Sequence, residues 1–112
     1  MSGITTHVLD TSRGRPAAGL PVTLERADEH GSWVLLGRGQ TDADGRLRTL
    51  LLTSPSAGVY RLTFDTRDYL GEAGAPVFYP GIVITFCVVE GEEHYHVPLL
   101  LSPFGYTTYR GS

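Results

Sequence analysis

The sequence predicts an all-β sandwich or barrel, and three observations carry that prediction. Short segments rich in Val, Ile, Leu, Thr and Tyr alternate apolar and polar residues with the period of a half-buried strand. Turn-forming residues recur between them: Gly14, Pro16, Gly19, Pro21, Gly31, Asp44-Gly45, Pro55 to Gly58, Gly91, Pro103 and Gly105. A single stretch, Asp65 to Glu72, reads as helix, with Asp65 or Thr66 as its cap and Gly71 or Gly74 as its stop.

Taken in order, ITTHVLD places Ile4, Thr6 and Val8 on one face and Thr5, His7 and Leu9 on the other. Val22 and Leu24 oppose Thr23 and Glu25 in the next strand. The polar turn Asp28 to Ser32, with a solvated His30, leads to a strand from Trp33 to Arg38. Asp42-Ala43-Asp44-Gly45 is a tight turn feeding Arg46 to Leu51. Tyr60, Leu62 and Phe64 oppose Val59, Arg61 and Thr63. Ile82, Ile84, Phe86 and Val88 oppose Val83, Thr85 and Cys87, and Cys87, inside the apolar run ITFCVV, reads as a buried small hydrophobe. In the strand from His94 to Leu101, His94, His96, Pro98 and Leu100 share one face and Tyr95, Val97, Leu99 and Leu101 the other. The aliphatic face belongs to the core, which leaves the histidine face for solvent, a cleft or a partner chain. Pro98 lacks a ladder donor, so this strand is expected at an edge or with an irregular ending.

The chain of 112 residues is expected to form one domain, 1–112, with a modest core that subunit association would supplement. A net charge of −3 with no basic cluster argues against a nucleic-acid partner. The single cysteine excludes an internal disulfide and a cysteine-based metal site. No apolar stretch is long enough to span a bilayer, the start MSGITTHVLD lacks the regions of a signal peptide, and RGS is no lipidation signal. A cytoplasmic protein without a membrane partner is the expectation.

Few residues suggest chemistry by type alone. His7 and His96 carry side chains whose ordinary pKa suits acid–base work, yet a strand histidine is as readily a plain surface residue. His94 and His96 project together from one strand face, and His7 is a candidate third zinc ligand, but no local carboxylate or cysteine completes a recognisable set. Arg46, just after the Asp-Gly turn, suits a carboxylate or other oxygen anion. The ordinary alternative is a surface pair with Asp42 or Asp44, and Arg48, on the same face, is not distinguished from it by alternation. Ser112 offers a hydroxyl and an α-carboxylate. No nucleophile elbow, triad spacing or phosphate-cradling glycine loop is present in the pattern.

Four stretches taken together are more specific. ITTHVLDTSRGRPAAGLPVTLE, the turn DADGR, the pair in EHYHVPLLL and the ending YRGS, in this order over nearly the whole chain, resemble the 5-hydroxyisourate hydrolase family, transthyretin-related enzymes of purine breakdown. The resemblance implies a transthyretin-like β-sandwich of two four-stranded sheets with one short helix. It implies a homotetramer, a dimer of dimers, with sites in clefts where the dimers meet and C-terminal segments line them. The family's functional positions fall on His7, Arg46, His96 and Ser112, with Tyr109, Arg110 and Gly111 around the last.

The implied reaction is hydrolytic opening of a small, planar, oxygen-rich ring, with no cofactor and no metal. His7 and His96 would converge on a water, with His96 favoured as base. Arg46 would hold substrate oxygens. Ser112 would position water, substrate or a histidine. Tyr109 would contact the ring, and Arg110 would bind substrate or fix the terminus by pairing with a carboxylate. The alternative is a transthyretin-like carrier of a small aromatic ligand, for which an apolar channel is expected in place of this polar set.

Overall fold

The structure, a computed structural model, describes residues 2–112. Nine strands and one short helix follow in the order β1 (Gly3–Asp10), β2 (Arg15–Pro16), β3 (Pro21–Ala27), β4 (Trp33–Gln40), β5 (Arg46–Leu51), β6 (Gly58–Asp65), α1 (Arg67–Glu72), β7 (Gly81–Val88), β8 (His94–Ser102) and β9 (Gly105–Thr108). They build two sheets. The first runs β2-β1-β8-β9, with β5 also paired to β1; the second runs β4-β3-β6-β7. The first sheet has five strands where four were expected. It is nevertheless four positions wide: β5 pairs Ile4 to His7 and β2 pairs Leu9 and Asp10, so the two share one flank of β1 end to end.

The core lies between the sheets, and the alternating pattern decides what enters it. Ile4 and Val8 of β1, Val22 and Leu24 of β3, Tyr60, Leu62 and Phe64 of β6, Ile82 of β7, and Tyr95, Val97, Leu99 and Leu101 of β8 are all buried. Their odd-even partners face outward, because successive side chains of a strand leave on opposite faces. Burial of a large apolar side chain contributes about 1.5–3 kcal/mol, so a one-residue slip of β8 would forfeit several such terms at once.

The two sheets are also tied at one end. Asp10, buried at the close of β1, accepts hydrogen bonds at Oδ1 from Ser12 N (3.1 Å), Ser12 Oγ (2.7 Å) and Arg13 N (3.1 Å), and at Oδ2 from Tyr69 Oη of α1 (2.7 Å). Thr66 occupies the N-cap position, and Asp65 is the last residue of β6. Instead of capping, the Thr66 hydroxyl donates to the Tyr79 carbonyl and anchors the helix to the loop ahead of β7.

Two expectations are corrected. Cys87 is exposed, because it takes the outward phase of β7 between the inward-facing Phe86 and Val88. An apolar run does not bury both faces of a strand when only one meets the other sheet. Pro98 is not on an edge strand, although its β9 flank has no ladder partner. It lies in the middle of β8, which runs between β1 on one side and β9 on the other. The N–H and C=O of one strand residue point to the same side, and the Pro98 carbonyl accepts from Thr108 Oγ1 (2.7 Å) on the β9 side. The missing donor therefore faces the end of β9, whose ladder begins only at Leu99 opposite Thr108, and no bond to β1 is lost. Among the described residues, no helix is long and apolar enough to cross a membrane.

Candidate active site

The outer face of the first sheet carries the polar residues that the core does not claim. β1 and β8 run parallel with Thr5 opposite His96 and His7 opposite Pro98. β5 runs antiparallel to β1 with Arg46 opposite His7. Three strands distant in sequence thus bring Arg46 and Arg48, Thr5 and His7, and His94 and His96 onto one surface. The turn before β5 is what delivers the arginines. Asp42 Oδ1 accepts from the backbone N–H of Asp44 (2.9 Å) and of Arg46 (3.0 Å). Gly45 closes the turn with φ +75° against β1, where an added Cβ would sit 2.4 Å from the Val8 carbonyl oxygen, so only glycine fits.

A pocket of about 170 Å³ opens on this face. Its walls are Arg46 and Arg48 from β5, His94 and His96 from β8, Thr5 and Thr6 from β1, and Ser112. Thr6 is internally engaged, donating from Oγ1 to the Val97 carbonyl (2.6 Å). Thr5 Oγ1 lies 2.8 Å from His96 Nδ1 and holds the imidazole by that nitrogen. With Nδ1 engaged, Nε2 is the nitrogen left for chemistry. The His94 and His96 rings are parallel within 8°, with centroids 6.5 Å apart. Burial, then the charges of Arg46, His7, His94 and Arg48, hold the His96 pKa below the ordinary 6.5. His96 is therefore neutral at neutral pH, the state a general base requires.

The terminal segment completes this wall. Gly111 N donates to the His96 carbonyl (2.8 Å), an isolated bridge beyond the end of β9. A Cβ on Gly111 would lie 2.7 Å from His96 Cδ2 and 3.3 Å from Pro98 Cγ. Glycine there lets the backbone lie directly on the imidazole.

The expected site residues do not all converge within one chain. Arg46, His96 and Ser112 line the pocket. His7 is beside it on the sheet, with Nε2 2.8 Å from the Asp44 carbonyl oxygen. That acceptor requires Nε2–H, so the free lone pair of a neutral His7 is on Nδ1. Tyr109 and Arg110 turn to the opposite side. They border a second, mainly apolar cavity of about 310 Å³ between the sheet edges, with Ile84, Phe86, Tyr95 and Val97. There Arg110 lies over the Tyr95 ring (4.4 Å to its centroid) and 3.6 Å from Glu92. The larger cavity is thus not the one holding the imidazoles and the guanidiniums of Arg46 and Arg48. No three His, Cys, Asp or Glu side chains gather as metal donors among the described residues, and His7 does not join His94 and His96 in one set.

Thr5 and Thr6 line the pocket although neither is expected as a site residue, and His94 and Arg48, expected only as a metal-donor candidate and as an alternative to Arg46, line it too. Period-two spacing put Thr5 on the His7 face and Arg48 on the Arg46 face, but their importance depends on the β1–β8 and β1–β5 registers, which no local pattern encodes.

Comparison with known proteins follows the same outline. A family model described as HIUase/Transthyretin family matches residues 4–111. A Caulobacter vibrioides protein named 5-hydroxyisourate hydrolase is 47% identical over the full length of both chains. The solved structure of Klebsiella pneumoniae 5-hydroxyisourate hydrolase superposes with a TM-score of 0.85 at 39% identity, again covering all of both chains. Transthyretin from Sparus aurata superposes with a TM-score of 0.91 at 34% identity, covering 99% of this chain and 97% of the other.

Proposed function

The chain belongs to the HIUase/Transthyretin family, and from that premise we infer that it is an enzyme that hydrolyses 5-hydroxyisourate in urate breakdown. Relatives named for that activity match it over their whole length. The observation that carries the assignment to this site is the meeting of His96, Arg46 and Ser112, from three distant parts of the chain, around one polar pocket. A transthyretin-like carrier of an aromatic ligand would favour an apolar channel; two guanidiniums and two imidazoles suit an oxygen-rich ring undergoing hydrolysis.

In the proposed mechanism a water oxygen bonds to the ring carbonyl carbon, the carbon–nitrogen bond breaks, and the product carries a carboxylate and a ureido group. His96 is the base. Its Nδ1–H donates to Thr5 Oγ1, and its free Nε2 takes the proton of the attacking water. The depressed pKa supports this role. Arg46 binds substrate oxygens and offsets the negative charge that develops on the attacked carbonyl oxygen. His7, fixed through Nε2 by the Asp44 carbonyl, accepts from the attacking water at Nδ1 and orients it, and His96 passes the proton it has taken from that water to the leaving nitrogen. Ser112 orients water or substrate from the pocket wall. The scheme uses no cofactor and no metal.

The same proposal includes a homotetramer, a dimer of dimers whose pockets face one another. Its support is the open position of the pocket on an outer sheet face, together with the exposed side chains of Phe78 and Phe104. Tyr109 reaches substrate only from a facing subunit in this arrangement. Arg110, paired with Glu92, fixes the terminal segment. A cytoplasmic location is part of the reading, and a lone, exposed and unpaired Cys87 suits a reducing compartment.

Rapid-mixing absorbance on freshly generated 5-hydroxyisourate tests the activity. The expected result is a decay far above the spontaneous rate, abolished by His96→Ala in a protein that still folds. No acceleration by the folded protein would remove the enzyme reading and favour the carrier.

A further inference from the structure

Arg48 points into the pocket beside Arg46, yet it belongs to none of the roles above. Both side chains leave the same face of β5, two residues apart, and both form the pocket wall opposite the paired histidines. Neither guanidinium makes a hydrogen bond among the described residues. Among the described residues the sole ionic contact of Arg48 is Asp42 Oδ2 at 3.7 Å, with both side chains about half exposed (54% and 49%). An exposed pair at that separation holds its partners weakly. The other oxygen of Asp42, Oδ1, is already committed to the turn. Arg48 therefore keeps its donors available toward the pocket, whose other wall is imidazole and hydroxyl.

We propose that Arg48 is a second anion-binding residue of this pocket, which recognises ring oxygens of an anionic oxo-purine-type ligand and acts on binding rather than on bond breaking. The proposal rests on the reading of the pocket as the hydrolase site and deepens it. Position separates the two arginines. Arg46 is half-buried, next to the turn and opposite His7, and stands where charge develops. Arg48 is exposed at the outer rim, where a guanidinium meets the incoming ring before and after reaction alike. An interaction equally strong in ground and transition states lowers KM and leaves kcat alone. A paired guanidinium fork also selects planar anions over neutral rings of equal size.

The test compares wild type with Arg48→Gln and Arg48→Lys. Hydrolysis kinetics are read alongside calorimetric binding of urate, a planar ring monoanion used as a non-hydrolysed probe. For Arg48→Gln the expected result is a rise of about tenfold in KM and in the urate Kd, with kcat within about twofold of wild type. The dependence of kcat/KM on salt becomes shallower, since one screened charge is gone. Arg48→Lys recovers part of the affinity. Unchanged KM and urate Kd in Arg48→Gln, or a loss confined to kcat, would overturn the proposal. Urate binding that depends on Arg48 in a wild-type protein without hydrolytic activity would support the anion site and remove the activity.

Discussion

Replacing Gly111 with alanine tests whether the terminal segment sets the position of His96. Gly111 is not in the left-handed backbone region, so alanine can adopt its conformation and the effect comes from the added methyl group. That Cβ would stand 2.7 Å from His96 Cδ2, whereas ordinary contact begins at 3.4 Å. The imidazole and the terminal backbone must therefore separate by about 0.7 Å. The ring has little room to yield, being held at Nδ1 by Thr5 with Pro98 Cγ on the Gly111 side. If the terminus moves instead, the Gly111 N–H to His96 carbonyl bond is strained or lost, a change of about 1 kcal/mol. A misplacement near 1 Å of a reacting group costs up to about 100-fold, so kcat should fall between about 10-fold and 100-fold. Thermal unfolding should change little, because the contact lies outside the core. Rapid-mixing absorbance on 5-hydroxyisourate gives kcat, and circular dichroism checks the fold. A Gly111→Ala protein with kcat within twofold of wild type would refute the view that this backbone positions the base.

Two further predictions concern pH. Because the His96 pKa is lowered in the folded protein, its base form persists below the ordinary 6.5, and the acid limb of kcat/KM should have its midpoint under 6.5. Arg46→Gln removes one of the causes and should move that limb upward as well as slowing turnover; an acid limb that stays in place in a folded Arg46→Gln protein would contradict the electrostatic account. Asp10 concerns stability: burial would raise its pKa, but the bonds from Tyr69, Ser12 and Arg13 outweigh that and hold it below 3.8. Its contribution is thus complete above 3.8 and disappears as pH falls through the folded value. Asp10→Asn keeps the shape, loses the charge assistance and should lower the urea-unfolding free energy near pH 7 by about 1–2 kcal/mol. The difference from wild type should shrink in acid, and a constant difference at all pH values would exclude a charge-linked role.

Local pattern carried much of the fold. The alternation in β1, β6 and β8 placed Ile4, Phe64 and Leu99 inside and His7, Arg61 and His96 outside, because side-chain direction in a strand depends only on residue parity. Hydropathy misled where a run was apolar throughout: ITFCVV suggests a buried Cys87 although alternation sets it opposite Phe86 and Val88, since hydropathy does not say which face meets the other sheet. The helix was legible in Asp65 to Glu72, but its first residue moved to Arg67 because Asp65 completes the β6 ladder opposite Gly81.

By itself, then, the sequence determined the all-β class, the faces of β1, β3, β6, β7 and β8, and a family likeness resting on ITTHVLD, DADGR, EHYH and YRGS. The tertiary structure alone decided which of those faces meet. Thr5 sits opposite His96 across 91 positions of chain, and Arg46 sits opposite His7, through registers set by burial of the whole sheet. The same assembly put Pro98 at the centre of a sheet and sent Tyr109 and Arg110 to the far side of β8. Strand direction and register are properties of distant pairings, in which many hydrogen bonds and buried side chains must be satisfied together, and so no short stretch can record them.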